Sequence, residues 1–185
     1  KCKMWVKIIV ASIPAGVVGI LWDDVFTKYF YNYQTVAIML ILVGVVFIII
    51  ERSNKNKIAK IDSIDDISYG QAFLIGVFQM IAAIFPGTSR SGSTIVGSLM
   101  LGISRTAAAE FTFFLAVPAM FGGSAIKILK YSGGFNSAEV ALLAIGMIVA
   151  FVLSIIAIKF LMSYIKKHDF KVFGWYRIVL GIAVI

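Results

Sequence analysis

The sequence predicts an all-α integral membrane protein, a multi-span helical bundle with one re-entrant helix–loop–helix hairpin. Three observations predict it. Hydrophobic residues make up 61% of the chain and charged residues 14%, and the mean hydropathy is +0.98, far from the balance of a soluble domain. Apolar runs recur along the whole length, several of them near the ~20 residues that a spanning helix needs. Between two of these runs lies the polar segment Pro86-Gly-Thr-Ser-Arg-Ser-Gly-Ser-Thr94. No nucleic-acid partner is expected of such a chain. Its single cysteine, Cys2, excludes an internal disulfide and matches no metal-binding spacing.

Met4–Trp22 reads as the first span, with Pro14 inside it and the small residues Ala15 and Gly19 spaced for close helix contact. A short loop holding Asp23, Asp24 and Lys28 leads to a second span, Thr35–Ile50. Glu51–Ser68 reads as a charged aqueous loop, and Tyr69–Ile103 as the interrupted segment. Thr106–Leu129 is the next span, containing Pro118 and Gly122-Gly123. A turn at Ser132–Asn136 leads into Ala138–Ile165, and Phe173–Ile185 is a partial last span. The chain opens on Lys1 and stops inside an apolar run, so it is read as part of a longer protein. No signal peptide is recognisable.

A straight helix over Tyr69–Ile103 would reach ~50 Å, against a hydrocarbon core of ~30 Å. Pro86-Gly87 would break it midway. A re-entrant hairpin resolves the conflict, because irregular backbone at membrane depth is tolerated where protein or a water-filled cavity surrounds it. Charge supports the same topology. With a hairpin, Lys1, Lys3, Lys7, Arg52, Lys55, Lys57, Lys60, Arg105, Lys166, Lys167 and Lys171 share one side, and Lys28, Lys127 and Lys130 the other. The basic side is then cytoplasmic, with Asp62 and Arg105 both on it.

The polar segment carries the chemistry. An arginine near the bilayer centre costs at least ~2.5–3.5 kcal/mol on insertion scales, so it usually marks a site. A helix starting near Ser91 would turn its free N–H groups and positive dipole end toward the loop. Gly87 and Gly92 allow close backbone approach to a bulky oxyanion, and Arg90 adds a planar, permanently charged fork. Thr88, Ser89, Ser91 and Thr94 add hydroxyls. Together they point to phosphate. Helix capping is the competing reading for the hydroxyls, and the favoured one for Ser93. Gln79, the only polar side chain in Phe73–Phe85, is a candidate for lining the site, with interhelical hydrogen bonding as the alternative. Glu110 reads as a structural pairing or helix-start residue, and His168, among Lys166, Lys167 and Asp169, as a solvated one. Arg105→Lys and His168→Ala are expected to stay close to wild type. Trp5, Trp22, Tyr131, Tyr164, Trp175 and Tyr176 read as interface anchors.

Pro86–Thr94 resembles the signature loop of the bacitracin-resistance family, the undecaprenyl-pyrophosphate phosphatases. Gly102-Ile-Ser-Arg-Thr-Ala-Ala-Ala-Glu-Phe111, Leu115–Pro118 and Trp175-Tyr-Arg-Ile-Val-Leu-Gly181 extend the likeness over essentially the whole chain. The resemblance implies two inverted repeats, each with one re-entrant hairpin, in a multi-pass protein of the bacterial inner (plasma) membrane. On that plan residues 1–185 are one transmembrane domain. Residues 1–50 close the first repeat, 51–68 form the cytoplasmic loop, and 69–185 are the second repeat with its hairpin at 69–103. The implied reaction hydrolyses a polyprenyl diphosphate lipid to the monophosphate and inorganic phosphate with a divalent metal, Mg or Ca, recycling the carrier lipid for cell-wall synthesis. A homodimer is one assembly open to such a protein.

The family's second motif, with glutamates and a histidine, has no counterpart here, so no metal ligand is assigned in this chain. Arg90, Ser89 and Thr94 are carried over as catalytic residues: Arg90 to clamp the phosphate, Thr94 to assist, and Ser89 as one candidate nucleophile beside the missing histidine. Gly87, Thr88, Ser91 and Gly92 are the phosphate-binding positions. The rival readings are a lipid-phosphate or anion transporter using the loop as its binding site and a non-catalytic lipid-phosphate binder.

Overall fold

A computed structural model describes residues 2–54, 58–131, 133–134 and 136–185, without the side chains of Cys2, Asp23 and Asp24. Lys1, Lys55, Lys57 and Ser132, used in the charge count and the turn assignment, lie outside the described residues. Among the described residues seven α-helices follow one another: α1 (Cys2–Phe30), α2 (Tyr33–Asn54), α3 (Tyr69–Ile84), α4 (Arg90–Met100), α5 (Arg105–Lys130), α6 (Ser137–Ile165) and α7 (Lys171–Val184), with a 3-10 turn at Ile64–Asp66. Four helical stretches, Lys3–Trp22, Tyr33–Asn54, Arg105–Lys130 and Ser137–Ile165, are long and apolar enough to cross a membrane. The predicted all-α membrane bundle is borne out.

The chain divides into two compact units, Lys1–Ala119 with Asp169–Ile185, and Met120–His168. In the first, Ile8 and Ala11 of α1, Ala72 and Ile75 of α3, and Ala107, Ala108, Phe111 and Leu115 of α5 form one buried core with Ile64, Ile67 and Ile103. Small residues let backbones meet, the packing device of membrane helices. A side-chain carbon at Gly44 would lie 2.7 Å from the Gly174 carbonyl oxygen, and one at Gly174 would lie 2.8 Å from that of Gly44, so α2 and α7 touch main chain to main chain. α3 approaches α1 where Gly76 abuts Ala11, and α4 approaches α3 where Gly97 receives the Phe78 ring.

Tyr69–Ile103 is a hairpin in the structure. Its entry is a capping box, with Ser68 Oγ accepting the Gln71 N–H and Gln71 accepting the Ser68 N–H. Its exit is tied to the preceding loop. Lys60 N–H donates to Gly102 O at 2.9 Å, Ser104 N–H donates to Ile61 O at 2.8 Å, and Ile61 pairs with Ile103. Both ends of the segment therefore return to one end of the unit, where Lys7 Nζ of α1 also donates to Asp65 O at 2.6 Å.

Four expectations are corrected. α1 does not end in a loop at Asp23–Lys28 but runs to Phe30. No glycine or proline interrupts residues 20–30, and Lys28 suits the negative end of the helix dipole. Gly19 does not make the close contact that its spacing with Ala15 allows. Open space lies beside Gly19, and α1 meets α3 about two turns earlier, at Ala11.

Glu51 does not open an aqueous loop. It is 1% exposed on α2, where Oε1 accepts the Arg105 Nε–H at 3.0 Å and the Phe170 N–H at 3.1 Å, and Oε2 pairs with Arg105 Nη2. Arg105 is consequently a clasp between the end of α2 and the start of α5, not a free edge charge. One carboxylate fastens three helix ends.

The second unit holds the end of α5 and all of α6. Asn136 and Glu139 form a capping box at 2.8 and 3.0 Å that starts α6, whose spanning window has the highest mean hydropathy of the four, 2.9. His168 is exposed, as expected, and stacks on Tyr164 with ring centroids 4.3 Å apart.

Candidate functional site

The loop between α3 and α4 is shaped residue by residue. Phe85 N–H closes α3 on Ile81 O at 3.0 Å, and its ring meets Phe30 at the end of α1, 4.9 Å between centroids. Gly87 has φ +87, and a Cβ there would lie 2.6 Å from the Val36 carbonyl oxygen, so both backbone angle and space demand glycine. Thr88 N–H donates to Phe85 O at 3.3 Å, and its hydroxyl is buried without a partner.

Ser89 is the only non-glycine residue with positive φ (65) among the described residues. Such a conformation costs on the order of 1–3 kcal/mol, persists only where its surroundings impose it, and clusters at functional sites. Here it caps α4, with Ser89 Oγ accepting the Gly92 N–H at 3.2 Å. That cap leaves the Arg90 and Ser91 N–H groups, first in the helix, without an intrahelical partner. Ser89, Arg90 and Ser91 are all exposed, and no partner holds the Arg90 guanidinium among the described residues. The Ser89 hydroxyl keeps its own proton free to donate. Exposed amides, a dipole end, a hydroxyl and an unpaired guanidinium thus share one helix terminus.

The other expected residues lie behind this surface. Thr94 is 1% exposed, and its hydroxyl sits 3.1 Å from Arg90 O and Ser91 O and 3.0 Å from Thr112 Oγ1. In this arrangement it braces the first turn of α4 against α5. Gly92 is buried, with the Phe47 ring of α2 3.2 Å from where a Cβ would stand. Ser93 is buried too, which fits packing. Gln79 is buried on the face of α3 that also carries Ala72, Ile75 and Gly76.

Two members of the site's surroundings escaped the sequence reading. Thr112, a buried hydroxyl on α5, had no signal beyond being polar in an apolar span. Arg177 had a clear one, an arginine inside the apolar run Phe173–Ile185, the same signal that singled out Arg90. From α7 it donates through Nη2 to Gly87 O.

Among the described residues no group of three His, Cys, Asp or Glu side chains is arranged to hold a metal ion. The donor set here does not fit the divalent ion that the resemblance implies, and no step is assigned to it.

The loop's depth follows from α2. Gly87 rests on Val36, and Glu51 stands 15 residues later on the same helix, about 22 Å away at 1.5 Å per residue. The loop therefore lies near the α1–α2 turn, far from the Glu51–Arg105 clasp.

The family model described as bacitracin resistance protein BacA matches residues 1–183. The chain belongs to that family. Among the curated relatives it resembles are the undecaprenyl-diphosphatase of Desulfitobacterium hafniense, 64% identical over 99% of this chain and 66% of the relative, and undecaprenyl-diphosphatase 1 of Clostridium acetobutylicum, 61% identical over 99% and 67%. An undecaprenyl-diphosphatase of Enterococcus faecalis is 59% identical over 99% and 66%. The chain thus spans about two thirds of the length of these family members.

Proposed function

We propose that the chain carries the phosphate-binding part of a polyprenyl-diphosphate phosphatase of the bacterial plasma membrane, the activity named for its relatives. The observation that carries the reading is the exposed start of α4, where the Arg90 and Ser91 amides, the Ser89 hydroxyl and the unpaired Arg90 guanidinium converge. The terminal phosphate would sit on these groups, with the prenyl tail in lipid. Water attacks the terminal phosphorus as the bridging P–O bond breaks, and the lipid monophosphate leaves with the bonding electrons. The amides and Arg90 stabilise the charge on the non-bridging oxygens. Ser89 fits better as a hydrogen-bond donor than as a nucleophile, because no base reaches its hydroxyl among the described residues. Thr94 acts by holding the α4 turn.

The inverted-repeat plan, with residues 1–50 ending one repeat and 69–185 forming the next, belongs to the same proposal. So does re-entrance of the 69–103 hairpin, opening away from the cytoplasm. In a Cys2→Ser background, cysteines at Asp62 and Thr106 should label from the same membrane face with an impermeant thiol reagent, and one at Tyr31 from the opposite face. Labelling of Asp62 and Thr106 from opposite faces contradicts the hairpin.

Among the described residues, the groups gathered at the loop are cations, amides and hydroxyls, with no carboxylate or imidazole to activate water. Residues 1–185 alone are therefore expected to bind diphosphate without releasing phosphate. Steady phosphate release by the purified 185-residue chain contradicts this division of the site.

A further inference from the structure

The face of α7 that lies on α2 carries Gly174, Arg177 and Gly181, positions i, i+3 and i+7 of one helical stripe. A Cβ at Gly174 or Gly181 would crowd α2 main-chain atoms, 2.8 Å from Gly44 O and 2.9 Å from Ala37 O respectively. The two glycines thus bring the backbones together and send the long Arg177 side chain to the place where α2 supports the phosphate loop. There Nη2 donates to Gly87 O, while Nε is buried with no hydrogen-bond partner. The next residue of the loop, Thr88, has the other buried side-chain atom without a partner among the described residues. Unsatisfied buried polar atoms are uncommon and call for an explanation. Two on adjoining groups, at a loop already shaped for an anion, have a shared one.

A guanidinium held here by a single neutral carbonyl is an uncompensated positive charge in a low-dielectric setting. Ion pairs are strong there and isolated charges are costly. No carboxylate forms a salt bridge with it among the described residues. Arg90 faces outward at the front of the loop, and Arg177 stands behind it.

We infer that Arg177 is a specificity-determining residue of the phosphate site, whose charge behind the Gly87–Thr88 peptide matches the second phosphate and so favours a diphosphate over a monophosphate. This rests on the proposed function, since it explains how the substrate would be retained and the product, with one phosphate fewer, let go. Lysine at the same position keeps the charge but contacts one point only. Glutamine keeps a donor for Gly87 O without charge.

The test uses the full-length protein with inorganic pyrophosphate and inorganic phosphate as probes, each read by titration calorimetry and by ligand-dependent thermal stabilisation. Arg177→Gln is expected to weaken pyrophosphate binding at least tenfold and phosphate binding by less than half that factor, with Arg177→Lys between Gln and wild type. In turnover, KM for the lipid diphosphate should rise more than kcat falls. A lowered Tm with unchanged pyrophosphate affinity would overturn the inference and leave Arg177 a strut between α7 and the loop. So would an equal loss for both probes. If Arg177→Gln does not fold, Arg177→Lys carries the same comparison. If the wild type binds pyrophosphate and Arg177→Gln loses it selectively, yet no lipid diphosphate is hydrolysed, the inference stands and the proposed reaction falls.

Discussion

Arg90→Lys in the full-length protein is expected to lose most of its turnover while still inserting and folding, and Arg90→Ala to lose more. A planar guanidinium meets two phosphate oxygens at once, where an ammonium meets them as a single point. Losing one preorganised donor in such a site costs ~2.7–4 kcal/mol, or ~100–1000-fold in rate. The geometry sharpens the expectation. The Arg90 side chain is exposed beside two unpartnered amides and packs no core, so its removal should leave thermal stability nearly unchanged. His168→Ala, exposed on the other unit, is the control that should keep full activity. Near-normal turnover in Arg90→Lys at matched folded protein would remove Arg90 from the reaction.

Glu51→Ala is expected to be the most destabilising single change outside the site. It would strip the partner from the Arg105 guanidinium and from the Phe170 N–H together. Breaking a buried ion pair from one side costs ~3–5 kcal/mol, and the lower end applies here because Arg105 remains 37% exposed and can rehydrate. Arg105→Lys should also lower the Tm, since an ammonium cannot hold both carboxylate oxygens in the same fork. This reverses the expectation drawn from Arg105 as an edge charge. The readout is thermal unfolding in detergent, and Glu51→Ala melting with the wild type would sink the clasp.

The contrast between Arg90 and Glu51 shows what the chain makes legible. Arg90 announces itself because a polar loop between apolar half-spans has no other comfortable explanation, and the hairpin follows from helix length, the Pro86-Gly87 break and the charge asymmetry together. The α4 start is also readable, within one residue of Ser91. Glu51 is not. A carboxylate at the end of an apolar run looks like the first residue of a loop, and its burial depends on Arg105 and Phe170, 54 and 119 residues away. Ala15 and Gly19 have the right spacing for a helix contact, but such spacing only permits one. Gly76 of α3 settles on Ala11, and open space lies beside Gly19. Arg177 is readable by the rule applied to Arg90, as an arginine inside an apolar run. Its link to Gly87 spans 90 residues, and no local pattern encodes it.

The central claim, that the Arg90 loop holds the terminal phosphate of a lipid diphosphate for hydrolysis, is tested most directly by following product. Purified full-length protein in proteoliposomes would be given a polyprenyl diphosphate, with inorganic phosphate and the lipid monophosphate measured together, for wild type and Arg90→Ala. The account predicts one phosphate and one lipid monophosphate per substrate consumed, both suppressed at least ~100-fold in Arg90→Ala. Diphosphate lipid crossing the bilayer intact, with no phosphate released by the wild type, would contradict it and make the loop a carrier's binding site.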